Sequence, residues 1–208
     1  MKSIIISGTD TGIGKTLLSA ILISALPEYF YWKPLQSGIE DGTDSKTVLT
    51  LSNCSPDRVL REAYMFSQPL SPHRASEIDG VTIEKDKLRP PTNSPLIIEG
   101  AGGLLVPLTS DLLNIDIFKS WNLPVLLACR SGLGTINHTL LSIEALRRRE
   151  IPLLGCVFIG ESNPSNEQAI EHYGNAPIVG RIPLISSFSP ENFRKIFDDS
   201  FQPLKSIL

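Results

Sequence analysis

The sequence predicts an α/β fold of the doubly wound type, in which a mainly parallel sheet carries helices on both faces. Two observations predict this fold. Runs that are apolar throughout, which is typical of strands buried on both faces, alternate with segments of helical periodicity. The first run, 4–6, ends at a glycine-containing turn that leads through Lys15 and Thr16 into an apolar helix, which is the order found in a phosphate-binding loop. We therefore predict a single domain of the P-loop NTPase type over residues 1–208.

Composition and charge exclude several classes of partner. The chain has 208 residues, of which 41% are hydrophobic and 20% charged, as in ordinary globular proteins. A net charge of -3 gives no electrostatic reason to expect nucleic acid or an anionic membrane. The spacing of Cys54, Cys129 and Cys156 fits no metal site, so we expect free thiols in a reducing compartment. Because no segment resembles a signal peptide or a membrane span, we expect a cytoplasmic protein.

The turn after the first strand has the parts that bind a phosphate. Gly12 and Gly14 let the backbone bend, and successive N–H groups at the start of the next helix surround an anion. Lys15 is placed to reach the β- and γ-phosphates, and the Thr16 hydroxyl to bind Mg²⁺. Five residues separate Gly8 from Gly14, one more than in the usual pattern. The alternative is a plain glycine-rich turn before a buried helix.

The first half of the chain contains strands, turns and short helices. The aromatic residues before Lys33 have high strand propensity, and Pro34 ends that strand because it removes a backbone donor. The segment 54–94 is rich in proline and poor in apolar residues, which favours an elaboration between two strands over a separate domain. The predicted elements are a strand at 29–32, a loop at 36–38, a turn and helix cap at 41–44 before a helix that reaches residue 51, and short helices at 57–61, 72–78 and 83–88.

The second half repeats the alternation of apolar strands and helices. Ile136, Leu140, Ile143 and Leu146 fall on one face of a helix that ends in three arginines, 147–149. Those arginines interact favourably with the helix dipole, and a basic nucleic-acid patch is the alternative. The predicted elements are strands at 95–99, 124–129, 153–159 and 176–183, flexible loops at 100–103 and 132–134, and helices at 113–121, after 134, at 163–173 and at 190–197.

Several polar residues follow the ends of the predicted strands. Ligands bind parallel sheets at the carboxyl ends of the strands, so Lys33, Glu99 and the two glycine loops should converge on the phosphate loop. P-loop proteins place an acid such as Glu99 to hold Mg²⁺. Thr16, Asp44 and Glu99 would supply three oxygen ligands. The alternative for Asp44 is a helix N-cap.

Lys33 ends an aromatic strand and is followed directly by a proline. It is either a cation aimed at the site or an exposed strand end. A cation there would stabilise an anion while that anion is phosphorylated. Ser37 is a hydroxyl close by in the sequence. The three histidines have no partner that indicates a metal site or a catalytic triad.

Five stretches occur in order between residues 8 and 138: GTDTGIGKT at 8–16, KPLQSG at 33–38, SPH at 71–73, EGAGG at 99–103 and NH at 137–138. Together they resemble the dethiobiotin synthetase family, whose phosphate loop has the same five-residue spacing. The stretch GRIP at 180–183 is similar to that family's nucleotide-contacting turn.

The resemblance implies an enzyme that closes a ureido ring on 7,8-diaminononanoate with CO₂, ATP and Mg²⁺. In this family the N7 amine forms a carbamate, ATP phosphorylates it to a carbamic-phosphoric anhydride, and the N8 amine displaces phosphate to give dethiobiotin in biotin biosynthesis. The family is a homodimer whose substrate lies near the subunit interface.

The resemblance also implies a role for each matching residue. Lys33 and Lys15 would be catalytic, with Lys33 holding the carbamate. Ser37 would contact the diamine, while Gly134, Thr135 and Asn137 would bind the substrate carboxylate and reach across to the partner subunit. Thr16, Asp44 and Glu99 would hold Mg²⁺. The residues implied to contact the nucleotide are Gly12, Ile13, Gly14, Lys15, Thr16, Leu17, Asp44, Glu99, Gly100, Ala101, Gly102, Ile182, Pro183 and Leu184.

This chain departs from the family at the end of the strand 153–159. The family often carries an asparagine there that reads adenine, whereas this chain has Ile159. An isoleucine offers neither a donor nor an acceptor, so we expect weakened selectivity for the base.

Two other functions compete with this interpretation. A P-loop switch or positioning ATPase would act through a protein partner or a membrane, but the chain lacks a basic amphipathic C-terminal helix, and Lys33 and Ser37 would have no assigned role. A small-molecule kinase is the third possibility.

Overall fold

The computed structural model describes residues 2–208. Met1, which belongs to the predicted domain 1–208, lies outside this range, and the assignment of a single domain stays a prediction. The strands are β1 (Ile4–Gly8), β2 (Phe30–Trp32), β3 (Leu35–Ser37), β4 (Val59–Leu60), β5 (Tyr64–Phe66), β6 (Leu96–Gly103), β7 (Val125–Arg130), β8 (Leu153–Ile159) and β9 (Ile178–Ile182). The helices are α1 (Lys15–Ala25), α2 (Asp44–Ser52), α3 (Pro72–Ile78), α4 (Asn114–Trp121), α5 (Thr135–Arg148), α6 (Pro164–Gly174), α7 (Pro190–Ser200) and α8 (Gln202–Lys205).

Seven strands form one sheet in the order β4-β2-β6-β1-β7-β8-β9. All neighbouring strands in it are parallel. In this sheet β2, β4 and β6 lie on one side of β1, and β7, β8 and β9 lie on the other. The strand order therefore reverses beside β1, and such a switch point is where parallel sheets bind ligands. The predicted fold class is confirmed.

Residues 4–6 of β1 are all apolar because helices cover both faces of the sheet. Successive side chains of a strand point to opposite faces. Ile4 and Ile6 pack in a core cluster with residues of α1 and with Phe193 of α7. Ile5, between them, packs with Phe118 of α4. When apolar layers cover both faces of a sheet, the residues of a strand do not alternate between apolar and polar.

Three predictions of local structure are wrong. The helix predicted at 57–61 is a single 3₁₀ turn, Pro56–Arg58, followed by β4 at the edge of the sheet. The loop predicted at 36–38 overlaps β3, which pairs in parallel with β5 as a separate two-stranded sheet. Strands of two or three residues are too short to show a hydrophobic period, so tertiary packing decides their conformation.

The third wrong prediction is the flexible loop at 100–103, because β6 continues through these residues. Gly103 lies opposite Gly8 of β1 in the parallel register. The buried side chain of Asn114 donates to the carbonyl oxygens of Ala101 and Gly103, the second at 3.0 Å. The hydrogen bonds of Asn114 hold this irregular end of β6, where the pairing register with β1 shifts, and no local sequence signal predicts them.

The small sheet has a hydrophobic cluster of its own. Leu35 of β3 packs with Tyr64 and Phe66 of β5, with Ala75 of α3, and with Leu88. Most of the proline-rich segment 54–94 therefore serves as a packed wall beside the carboxyl end of the main sheet.

The helices and the cysteines can be compared with the expectations of no membrane span and of free thiols. Within residues 2–208, no helix combines the length and the apolar character needed to cross a membrane. Cys54, Cys129 and Cys156 are free thiols, and the last two are buried.

Candidate active site

The phosphate loop joins β1 to α1 at the switch point of the sheet. Gly12 and Gly14 have φ angles of +68° and +100°, in the left-handed region that favours glycine. A Cβ atom at Gly14 would lie only 3.0 Å from Cδ1 of Ile159, so there is little room for a side chain there. Helix α1 begins at Lys15, and its first N–H groups have no carbonyl partner inside the helix. This is the geometry of an anion-binding helix start.

Lys15 is buried beneath this loop. Its ammonium Nζ donates to the main-chain carbonyl oxygen of Asp10 at 3.0 Å. Burial lowers the pKa of Lys15 below its ordinary value, against the opposing effect of the Glu99 carboxylate. A cation held out of water interacts strongly with any phosphate that enters the loop.

Thr16, Asp44 and Glu99 come together from three different elements. Thr16 Oγ1 lies 3.0 Å from Asp44 Oδ1 and 3.0 Å from Glu99 Oε1. Thr16 is on α1, Asp44 begins α2 and Glu99 is in β6. The three oxygen groups that were expected to bind Mg²⁺ therefore converge on one point, although their role as ligands stays a prediction.

The alternative role for Asp44 as a helix N-cap is wrong. Thr43 is the N-cap of α2, and its hydroxyl accepts a hydrogen bond from the backbone N–H of Lys46 at 3.1 Å. Asp44 is the first residue inside the helix. Its backbone N–H donates to Oε1 of Gln36 at 3.0 Å, which leaves its carboxylate directed at the site.

Lys33 is a buried cation and not an exposed strand end, since only 4% of it is accessible to solvent. Its Nζ lies 3.0 Å from Glu99 Oε1 and also forms an ion pair with Asp44. Burial by itself lowers the pKa of Lys33, but the Glu99 and Asp44 carboxylates outweigh it, so the pKa is raised above its ordinary value. Burial likewise raises the pKa of Asp44, and Lys33 more than reverses that effect, so the pKa of Asp44 is lowered.

Two side chains that form hydrogen bonds with Glu99 were not predicted from the sequence. Ser19 Oγ and Tyr31 Oη lie 2.7 Å and 2.9 Å from Glu99 Oε2, the oxygen that faces away from Lys33. A signal for Tyr31 exists, because residues two apart in a strand share a face and Tyr31 precedes Lys33 by two. Ser19 lies one helical turn after Lys15, on the side of α1 that faces the sheet.

The phosphate loop and the charged side chains described above line a cavity of about 630 Å³. Its polar end contains the phosphate loop, Lys33, Asp44 and Glu99, and its other end is formed by the small sheet and the segment 69–72. The Ser37 hydroxyl oxygen is buried with no hydrogen-bond partner within residues 2–208. The predicted site residues that line the cavity are Gly12, Gly14, Lys15, Thr16, Lys33, Ser37, Asp44, Glu99, Ala101 and Gly102, and the additional ones are Thr11, Leu35, Gln36, Pro69, Leu70, Ser71, Pro72 and Val106.

The residues expected to bind the substrate carboxylate do not line this cavity. Gly134 and Asn137 are exposed at the start of α5, beside the fully exposed Leu133. Thr135 is buried, and its hydroxyl donates to the carbonyl oxygen of Arg130. Within one chain, this predicted subsite therefore lies outside the cavity that contains the phosphate loop.

The remaining predicted nucleotide contacts also lie outside the cavity. Ile13, Leu17 and Gly100 are next to lining residues in the chain. Ile182 is the last residue of β9, at the edge of the sheet, and Pro183 and Leu184 follow it. There, the backbone N–H of Gly160 donates to the carbonyl oxygen of Ile182 at 2.9 Å. Ile159 is half-buried against Gly14 and the main core, so the side chain at this position is apolar.

Comparison with known proteins connects this site to a family. A family model described as an AAA domain matches residues 2–192. The ATP-dependent dethiobiotin synthetase BioD of Rhodopseudomonas palustris strain HaA2 is 53% identical over 201 residues, covering 96% of this chain and 94% of that protein. The protein of the same name from Brucella melitensis biotype 2 is 50% identical over 199 residues, covering 95% and 93%.

Solved structures with a similar fold are much more distant in sequence. A chain of the MinC:MinD cell division protein complex of Aquifex aeolicus has a TM-score of 0.60 at 13% identity, covering 99% of this chain and 96% of that chain. The pNOB8 ParA bound to nonspecific DNA has a TM-score of 0.57 at 14% identity, covering 99% and 97%. These likenesses support the P-loop α/β fold and nothing beyond it.

Proposed function

This chain belongs to the ATP-dependent dethiobiotin synthetase family, and we propose on that basis that it uses ATP to close the ureido ring of dethiobiotin. The observation that carries the proposal is Lys33, a buried ammonium held by two carboxylates in the same cavity as the phosphate loop. A nucleotide-hydrolysing switch has no need of a second buried lysine at this position.

The proposed reaction has three steps. The N7 amine of 7,8-diaminononanoate attacks the carbon of CO₂ and loses a proton, which gives a carbamate. A carbamate oxygen attacks the γ-phosphorus of ATP, and ADP leaves, which gives a carbamic-phosphoric anhydride. The N8 amine attacks the carbamoyl carbon and loses a proton, and inorganic phosphate leaves with the former carbamate oxygen as the ring closes.

The residues of the cavity suit these steps. Lys33 would hold the carbamate by its charge, and Lys15 would stabilise the charge on the phosphoryl group in transfer. The unpartnered hydroxyl of Ser37 supports a hydrogen bond to the diamine. The loop from Gly12 to Leu17 would cradle the phosphates, with the backbone of Gly100, Ala101 and Gly102 beside it.

The oxygen groups at Thr16, Asp44 and Glu99 fit Mg²⁺. The Lys33 ammonium forms ion pairs with both carboxylates, which supports the idea that these carboxylates attract a cation. No cluster of three or more His, Cys, Asp or Glu side chains suited to a metal occurs in residues 2–208. Two carboxylates and a hydroxyl are nevertheless sufficient for Mg²⁺, which takes its other ligands from phosphates and water. The ion, when bound, neutralises charge on the β- and γ-phosphates.

We further propose a homodimer in the cytoplasm. The carboxylate of the substrate would be bound by Gly134, Thr135 and Asn137 of one subunit while its amines react in the cavity of the other. The exposure of Gly134 and Asn137 outside their own cavity supports this arrangement. The free thiols support a reducing compartment. Ile182, Pro183 and Leu184 would frame the nucleotide base.

Incubation of the purified protein with 7,8-diaminononanoate, ¹³C-bicarbonate, ATP and Mg²⁺ tests the function. We expect dethiobiotin that carries one ¹³C atom, formed together with equal amounts of ADP and phosphate and detected by mass spectrometry. ATP hydrolysis without dethiobiotin would favour the switch ATPase. Phosphorylated substrate without ¹³C would favour the small-molecule kinase. Heat-inactivated protein is the control.

A further inference from the structure

Glu99 is the most enclosed carboxylate of the site, with 1% of the residue exposed. Its two oxygens have different surroundings. Oε1 faces the cavity and lies 3.0 Å from both Thr16 Oγ1 and Lys33 Nζ. Oε2 faces the protein interior and accepts hydrogen bonds from Ser19 and Tyr31.

Tyr31 has no other hydrogen-bond partner among residues 2–208, and it is completely buried in the core cluster between α1 and the sheet. A phenol in such a place needs an acceptor, and Glu99 Oε2 at 2.9 Å supplies it. Ser19 Oγ lies 2.7 Å from Oε2 and 2.9 Å from the carbonyl oxygen of Lys15. The carboxylate is the nearer of these acceptors and the charged one, so it receives the stronger bond.

These bonds determine how Glu99 can bind a cation. A carboxylate whose inner oxygen is held by two hydroxyls can neither rotate nor offer both oxygens to one ion. It can bind only through Oε1, as a single ligand. Mg²⁺ requires a compact octahedron, whereas Ca²⁺ takes more ligands and often both oxygens of a carboxylate.

We propose that Tyr31 and Ser19 are positioning residues that hold Glu99 as a single-oxygen ligand and so make the cation site selective for Mg²⁺ over Ca²⁺. This inference rests on the proposed metal site of the function above. Partners that orient a metal ligand typically change metal affinity by about 10- to 100-fold when removed.

The test is the binding of Mn²⁺, with ADP present, measured by electron paramagnetic resonance, and its competition by Mg²⁺ and by Ca²⁺. In Tyr31→Phe we expect the affinity for Mn²⁺ and Mg²⁺ to fall about tenfold. The affinity for Ca²⁺ should change much less, because the freed oxygen can then join the coordination. In steady-state assays the KM for Mg²⁺ should rise, and kcat should recover at high Mg²⁺.

The chain offers matched controls. Tyr29 is equally buried in the same cluster, but its hydroxyl donates to the carbonyl oxygen of Lys2 at 3.2 Å, away from the site. Ser24 lies on the same helix as Ser19 and donates to the carbonyl oxygen of Ser52 at 3.3 Å. Tyr29→Phe and Ser24→Ala should leave the ratio of Mg²⁺ to Ca²⁺ affinity unchanged, while Ser19→Ala should move it in the same direction as Tyr31→Phe.

The proposal is overturned if Tyr31→Phe and Ser19→Ala keep the wild-type ratio of Mg²⁺ to Ca²⁺ affinity. It is also overturned if the control variants change that ratio equally. If Tyr31→Phe does not fold, as judged by circular dichroism, Ser19→Ala and Ser24→Ala decide the question. A wild-type protein that binds Mn²⁺ with this selectivity yet forms no dethiobiotin would refute the proposed function and leave this inference intact.

Discussion

Lys15 and Lys33 lie in one cavity, and their surroundings move their pKa values in opposite directions. Burial lowers the pKa of Lys15, so its charged form costs stability in the folded protein, and this cost falls as pH rises above the lowered value and is gone above the ordinary pKa of 10.5. Lys33 behaves differently, because two carboxylates overcome its burial. Its pairing therefore stabilises the fold fully below its ordinary pKa of 10.5 and is lost as pH rises through the raised value.

We predict that Lys33→Gln abolishes dethiobiotin formation and keeps nucleotide binding. The free energy of unfolding without Mg²⁺ should fall by about 3 kcal/mol, because Asp44 and Glu99 lose their counter-charge. This difference from the wild type, measured by urea unfolding, should persist at neutral pH. It should shrink above pH 10.5, and also as pH falls through the lowered pKa of Asp44.

Lys87→Gln is the control for this experiment, because Lys87 forms an exposed pair with Glu84 and should leave stability and activity unchanged. Loss of nucleotide binding in Lys33→Gln would indicate a phosphate contact in place of a carbamate contact. Unchanged product formation would remove Lys33 from the site.

Lys15→Ala should abolish turnover without loss of stability. The buried charge of Lys15 is unfavourable to folding, so its removal leaves the unfolding midpoint equal to or above that of the wild type. Differential scanning calorimetry and the ¹³C product assay measure the two effects. Near-normal turnover would contradict the assignment of the phosphate loop.

We predict weak selectivity for the nucleotide base, because Ile159 offers it neither a donor nor an acceptor. We predict that ATP and at least one of GTP and CTP have kcat/KM values within about tenfold, a difference of about 1.4 kcal/mol in transition-state free energy. Ile159→Asn should increase the preference for ATP, because an amide offers both a donor and an acceptor to the base.

Ile159→Val is the control, since it keeps an apolar contact with Gly14 and adds no polar group. Competition assays with the three triphosphates measure the preference. A thousandfold preference for ATP in the wild-type protein would show that backbone groups suffice to read the base.

At the scale of elements, the site depends on how the start of α2 is attached to β3. Gln36 makes this attachment: its Oε1 accepts from the N–H of Asp44, and its Nε2 donates to the carbonyl oxygens of Ser37 and Gly38 at 3.1 Å and 3.3 Å. One amide thus couples the strand that carries Ser37 to the helix that carries Asp44.

We predict that Gln36→Met raises the KM for Mg²⁺ and lowers product formation, with a loss of about 1–3 kcal/mol in unfolding free energy from the unpaired backbone groups. Thr43→Ala is the matched control at the same helix end. It removes the N-cap and should cost about 1 kcal/mol without changing the KM for Mg²⁺. If both variants change that KM equally, the Gln36 attachment has no specific role.

At the scale of the whole molecule, we predict a substrate site that is complete only in a dimer. Sedimentation should therefore show a dimer at assay concentration. Lys33→Gln and Asn137→Ala should each be inactive, and mixing them after brief unfolding and refolding should restore part of the activity. Heterodimers then contain one site with both residues intact. A fully active monomer, or no recovery on mixing, would contradict the shared site.

The sequence by itself determined the fold class, the phosphate loop and the identity of the charged groups. Runs such as 4–6 are apolar on both sides of the strand, and the glycine turn with Lys15 and Thr16 has a local physical meaning that does not depend on the rest of the chain. The rule that ligands bind at the carboxyl ends of parallel strands then places Lys33 and Glu99 at the same edge of the sheet.

Only the tertiary structure decided what lies between these groups. The extension of β6 through Gly103, the pairing of β3 with β5, and the hydrogen bond of Tyr31 to Glu99 all join residues from different elements. Their energies come from cross-strand pairing and from buried polar groups that must find partners, and neither leaves a periodic signal in the sequence. The sequence thus indicated which charged groups meet at the cavity, and tertiary packing decided how those groups are oriented.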